Sequence, residues 1–154
     1  MSVLIAAFVL GVVSGLRTMM GLAVVSWGAS RQKIPLDGTW LSLLGFRFTP
    51  YITSLLAIGE LIIDKLPKTP SRLAPPLFAG RVVMGAFTGS AIGLSQDHLV
   101  FGALSGIIGS VVGTLGGARA RAFAAQQFGR DFPAALLEDF IAFGLAVVAV
   151  VTLR

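Results

Sequence analysis

The sequence predicts an all-α membrane protein, a bundle of about five transmembrane helices forming one domain over residues 1–154. Three observations predict it. Hydrophobic residues make up 55% of the chain and charged residues 12%, whereas a soluble domain carries about 25% charged residues. Apolar stretches of helical length alternate with short turns marked by Pro, Gly and charge. Glycines recur at three- and four-residue spacing along two of those stretches, the pattern that lets helix backbones approach closely in lipid.

The first apolar stretch predicts a helix over about 3–27 with Arg17 inside it. Twenty-five residues at about 1.5 Å each reach about 37 Å, enough to cross with tilt. No basic segment precedes it and apolar chain follows Arg17, so it reads as a membrane helix and not as a cleaved signal. Gly11, Gly15 and Gly21 predict a packing face around Arg17 in preference to a break at Gly15-Leu16-Arg17. Residues 28–50 form a connection carrying Arg31, Lys33, Asp37 and Arg47. Within it Trp40 to Phe46 is too short to span and reads as an interfacial half-helix, with Trp40 and Tyr51 as anchors.

The second helix is expected over about 51–66, stopped by Pro67 and Pro70. Glu60 and Asp64 share one of its faces by the four-residue rule. The third, over about 76–95, opens on Pro75-Pro76, which suits a first turn. Gly85, Gly89 and Gly93 stripe it. The turn Gln96-Asp97-His98 is short enough to make the next helix an antiparallel neighbour. That fourth helix, about 98–118, is the longest uncharged run and carries Gly102, Gly106, Gly109 and Gly113. The two glycine stripes predict a tight hairpin. Beyond Arg119 and Arg121 the helix is expected to continue along the surface to Phe128, where Gly129 ends it. Asp131 and Pro133 start the last helix, about 132–153, with Glu138 and Asp139 in its second turn.

Alternating helix directions place the end of the second helix, the start of the third, the end of the fourth and the start of the fifth on one side. Glu60, Asp64, Arg81, Arg119, Glu138 and Asp139 then fall within about 10 Å of that side. Arg17 lies deep, or toward the opposite side. Each charge at the bilayer centre costs roughly 2.5–3.5 kcal/mol, so the cluster demands pairing or water. Consecutive helices predict that Glu60 meets Arg81, and Arg119 is expected to pair with Glu138 or Asp139. Loops on the cluster side carry Lys65, Lys68, Arg72, Arg119, Arg121 and Arg130, against Arg31, Lys33, Arg47 and Arg154. Six against four predicts a cytoplasmic cluster and, with five helices, a cytoplasmic amino terminus. Gly11 to Arg17 echoes Ser110 to Arg119, and helices of opposite direction would make the two an inverted pair.

The run Glu60-Leu-Ile-Ile-Asp64-Lys65-Leu-Pro67 carries a family resemblance, with Gly15-Leu16-Arg17 upstream, Arg81 downstream and Gly129 to Asp139 late in the chain. Together they resemble the small bacterial membrane proteins grouped as domain of unknown function 4126. The resemblance covers most of the chain. It implies an integral membrane protein of the bacterial inner membrane, and it supplies no activity and no functional residue.

Several classes fall away. The basic residues are scattered singly, which suits topology and not a nucleic-acid surface. His98 is the only histidine and there is no cysteine, so a histidine-based triad, a multi-histidine metal site and a thiolate nucleophile are excluded. No catalytic motif, metal site or cofactor is expected. Two functions stay open. One is a small transporter or channel, with Glu60, Asp64 and Glu138 as proton or cation groups and Arg81 as the counter-charge. The other is a non-catalytic accessory subunit, a homo-oligomer or part of a larger membrane complex, packing through its glycine faces.

Overall fold

The computed structural model describes residues 2–66 and 68–153. Among them are six α-helices, one 3-10 turn and no strand. The helices are α1 (Val3–Leu16), α2 (Thr18–Ser30), α3 (Thr49–Ile63), α4 (Pro75–Leu94), α5 (Leu99–Phe128) and α6 (Asp131–Val151). Three of them, α4, α5 and α6, are long and apolar enough to cross a membrane. The others are apolar but shorter, about 20 Å each against a hydrocarbon core of about 30 Å. Five spanning helices were expected; three meet the length.

The largest departure lies in the first stretch. The expected helix over 3–27 is two helices, divided at Arg17, whose backbone is extended at φ −139°, ψ 107°. The second folds back along the first. A Cβ on Gly21 would lie 3.4 Å from the Leu10 carbonyl oxygen, although one continuous helix would hold residues 10 and 21 about 16 Å apart along its axis. Both sequence readings of this region therefore hold at once: Gly11 and Gly15 form a packing face, and the chain also breaks beside them.

That reversal reorders the bundle. α1 runs parallel to α5: Gly11 abuts Gly106, Gly15 abuts Ser110 and Thr114, and Leu16 reaches Gly117. α2 runs antiparallel to α3, with Thr18 and Met19 beside Glu60 and Trp27 beside Ser54 and Tyr51. All six helices alternate in direction, so Ser2 and Leu153 lie at one end and the acidic ends of α3 and α6 at the other. The amino-terminal end was expected on the same side as the charge cluster and lies opposite it. Because α1 and α5 are parallel, the echo between Gly11–Arg17 and Ser110–Arg119 is not an inverted pair.

α1 is the central helix, packed by α2, α4, α5 and α6, with Ala6, Ala7, Leu10 and Val13 fully buried. Glycine makes this possible. A Cβ on Gly89 would fall 2.9 Å from the Gly106 Cα, and one on Gly93 the same distance from the Gly102 Cα. Gly85 meets Ser110 and Gly106, while Gly109 and Gly113 meet Phe8 and Val12 of α1. Side chains cannot occupy these seams because backbone already does. By contrast, a Cβ on Gly59, Gly80 or Gly144 would meet nothing within 4 Å.

The rest follows local signals. Pro75 and Pro76 open α4. α5 is one unbroken helix of 30 residues, so the expected surface extension is the same rod continued, and Gly129 ends it with φ +66°, the left-handed conformation that glycine tolerates. The expected half-helix at Trp40–Phe46 is a single 3-10 turn, Ser42–Gly45. Around it Ile34, Leu36, Leu41 and Leu44 are buried against the end of α2, and Ser26 Oγ donates to the Leu44 carbonyl at 2.6 Å. Trp40 and Tyr51 are largely exposed, and their rings meet Phe87 and Trp27 edge-on. Pro67, expected as a helix stop, and Arg154, in the charge count, lie outside the described residues.

Two outcomes test this arrangement. Gly89→Leu and Gly106→Leu should each cost about 1–3 kcal/mol or more through overpacking, whereas Gly144→Leu should melt no lower than the parent. Monodisperse yield and thermal melting in detergent measure both, and parental melting of Gly106→Leu would rule out the seam. For topology, Ser2→Cys and Leu153→Cys should react with an impermeant thiol reagent from one face of sealed vesicles. Lys68→Cys and Arg130→Cys should react from the other, with no native cysteine to interfere.

Candidate functional site

Breaking a helix inside an apolar bundle strands backbone groups at both new ends, and in lipid no water is at hand to receive them. Here side chains from distant helices receive them. Arg81 Nη1 donates to the carbonyls of Gly15 at 2.9 Å and Leu16 at 2.8 Å, closing the end of α1. Thr114 Oγ1 adds a contact to the Gly15 carbonyl at 3.2 Å. Glu60 closes the start of α2, its two oxygens accepting the backbone N–H groups of Thr18 and Met19 at 2.7 Å each. A carboxylate at a helix N-terminus is also favoured by the helix dipole. The reversal is thus held by one cation and one anion, each at the helix end of matching polarity.

Arg17 itself, fully buried, points into a ring of carboxylates. Its Nε donates to Asp139 Oδ1 at 2.6 Å, its Nη1 to Asp64 Oδ2, and its Nη2 lies 3.6 Å from Glu138 Oε2. Outer cations complete the ring. Arg72 grips both oxygens of Glu138, Lys65 Nζ donates to Asp139 Oδ2 at 2.6 Å, and Arg121 binds both oxygens of Asp131 at 2.9 and 2.6 Å. Five cations (Arg17, Lys65, Arg72, Arg81, Arg121) therefore face five carboxylates (Glu60, Asp64, Asp131, Glu138, Asp139). The network sums to zero, and the chain's formal charge of +5 resides wholly outside it.

The expected cluster converges except at one residue. Glu60, Asp64, Arg81, Glu138 and Asp139 meet at one end of the bundle. Arg17 joins them there, and not at depth or toward the far side, because the chain turns at that residue. Arg119 does not join. It is exposed on α5 and contacts neither Glu138 nor Asp139; Arg121 and Arg72 take the positions expected of it. The glycine stripe carried that signal. Gly109, Gly113 and Gly117 face the bundle at four-residue steps, and the next step is residue 121, whereas residue 119 is turned about 160° away. Nothing comparable marks Arg72, which enters from the loop before α4. Glu60 and Arg81 are neighbours, but their closest approach is 4.0 Å, at the outer edge of an ion pair. Their nearer partners are backbone groups.

Beside the network lies a cleft of about 960 Å³ between α3 and α4. α3 packs on α2 and the 3-10 turn, which leaves its α4-facing side open. Leu55, Leu56 and Ile63 of α3 and Leu77 of α4 form apolar walls, Thr18 and Met19 the floor, and Glu60, Asp64, Arg72, Arg81 and Arg121 a charged end. Gly59 and Gly80 also line it. Two buried side-chain nitrogens among the described residues have no hydrogen-bond partner, Arg17 Nη2 and Arg81 Nε. No group of three or more His, Cys, Asp or Glu side chains able to hold a metal ion occurs among the described residues. The arrangement fixes buried charge beside an open, partly apolar cleft.

A scan against protein-family models, a search of curated proteins and a search of solved structures each return no match.

If Glu60 and Arg81 acted mainly as each other's partner, removing both would restore stability. With backbone partners the losses should instead accumulate. Glu60→Gln and Arg81→Gln are each expected to cost about 1.5–3 kcal/mol, and the double variant should melt below either. Arg17→Gln should cost about 3–5 kcal/mol, since it leaves buried carboxylates short of their cation. Thermal melting in detergent reads all four, and recovery in the double variant would reject the capping roles.

Proposed function

We propose that this chain is a multi-pass membrane protein of the transporter class that admits a small solute into the cleft between α3 and α4. The observation that carries the reading is that cleft, a volume within the 300–1,000 Å³ range of ligand sites, apolar on its walls and charged at one end. Two further features support it. The reversal between α1 and α2 opens the start of α2 beside the cleft, a helix end placed as at transporter sites, and α3 is packed along one side only. The carboxylates serve this reading as a frame: Glu60, Asp131, Glu138 and Asp139 each have both oxygens engaged, and Asp64 has one.

The three shorter helices complete the bundle around α4, α5 and α6, crossing with them in a bilayer thinned or tilted to match. Lys65, Lys68, Arg72, Arg119, Arg121 and Arg130 at the network end, against Arg31, Lys33 and Arg47, favour a cytoplasmic network. The amino-terminal end then faces the opposite side of what we take to be a bacterial inner membrane. The resemblance to domain of unknown function 4126 agrees with such a protein and adds no solute. A second reading, a non-catalytic subunit of a larger membrane complex, draws support from the cation or backbone partner that each of the network's acids has, which a purely structural staple also requires.

Gly80→Cys separates the two. A carrier exposes its site alternately, so the thiol should react with an impermeant maleimide from both faces of sealed vesicles, at unequal rates. Reaction from the network face alone, under every gradient applied, would leave the accessory subunit.

A further inference from the structure

The cleft is not equally suited to all solutes. Its acids are largely spent: Glu60 on two backbone amides, Asp131 on Arg121, and one Asp64 oxygen on Arg17. One of its cations is not. Arg81 is 5% exposed and lines the cleft. It closes α1 with Nη1 alone; its Nη2 finds carboxylate oxygens only at 3.8 and 4.0 Å, and its Nε has no partner. A buried guanidinium nitrogen left without an acceptor is costly. Nε is enclosed, so Nη2, with no acceptor within hydrogen-bond distance, is the donor left for the cleft, and its demand is for an acceptor, best an anionic one.

One wall of the cleft is oily. Leu55, Leu56 and Ile63 are 70%, 51% and 56% exposed, and the space beside Gly59 and Gly80 is open. A water-soluble anion would leave this wall idle, whereas an acyl chain would cover it. Lys68, Arg119 and Arg130, at the network end but outside the neutral network, add attraction for anionic lipid, about 1 kcal/mol per residue near the surface.

We propose that the cleft is a binding site for an anionic phospholipid, its phosphate at Arg81 and an acyl chain along the α3 wall past Gly59 and Gly80. The proposal rests on the cleft being the guest site, and not on the guest being moved across the membrane.

The test titrates purified protein in mild detergent with a short-chain fluorescent phosphatidic acid and with the phosphatidylcholine of identical chains. Phosphatidic acid should bind at least about tenfold tighter. Gly59→Leu and Gly80→Leu place a side chain in the open space without touching the network, so both should melt no lower than the parent and lose about tenfold in affinity. Arg81→Lys should reduce the preference between the two lipids; because Arg81 also closes α1, the glycine variants carry the result if it fails to fold. Equal affinity for the two lipids would overturn the proposal, as would unchanged binding in both glycine variants. Inorganic phosphate binding as tightly as the lipid would overturn it in favour of a soluble anion. Lipid selectivity with one-sided labelling of Gly80→Cys would retire the carrier reading and leave this one. Two-sided labelling without lipid selectivity would do the reverse.

Discussion

The structure depends on what happens to the backbone at Arg17. A chain that reverses inside an apolar bundle must satisfy the last carbonyls of one helix and the first amides of the next without solvent. Neither α1 nor α2 carries the groups to do so at that turn. Arg81 of α4 and Glu60 of α3 do, the one at the end of α1 and the other at the start of α2. The two side chains bring the ends of α3 and α4 to the same point, and the rest of the charge network assembles around that meeting.

Burying one cation and one anion there creates further demands. Arg17, carried into the interior by the turn, needs carboxylates, and Asp64, Asp139 and Glu138 supply them. Those acids need cations in turn, which Lys65 and Arg72 supply from the rim. The sequence of demands ends only at zero net charge, because an unbalanced charge in low dielectric would cost several kcal/mol. Glycine makes the compact arrangement reachable. With Gly11, Gly15, Gly106 and Gly113 at its contacts, α1 lies close enough to α5 for Thr114 to touch the Gly15 carbonyl.

The same tightness explains where the molecule is loose. α1, α4 and α5 share backbone-to-backbone seams, while α3 is held by α2, the 3-10 turn and the network at its end. Open glycines at 59 and 80 mark the side where nothing packs. A charged end held by ion pairs beside a helix packed on one side gives a cleft with a polar anchor and an apolar wall, on which the proposal of a guest with a head and a tail rests.

By itself the sequence determined the helical class, the apolar stretches and most of their limits, since these follow from composition, proline positions and glycines such as Gly129 within a few residues of each boundary. The glycine spacings also marked the faces of α4 and α5, and the phase of Gly109, Gly113 and Gly117 pointed to Arg121, although the count of charges near the helix end drew attention to Arg119. The tertiary structure alone decided that the first stretch is two helices. The groups that make a break at Arg17 tolerable lie at positions 60 and 81, and local propensity carries no trace of partners so distant in the chain. From that turn followed the end of the bundle at which Ser2 lies, the membership of Arg17 in the network, and the cleft beside it. Periodicity reads what a segment buries; only the assembled bundle shows which backbone groups have been left open and which distant side chain closes them.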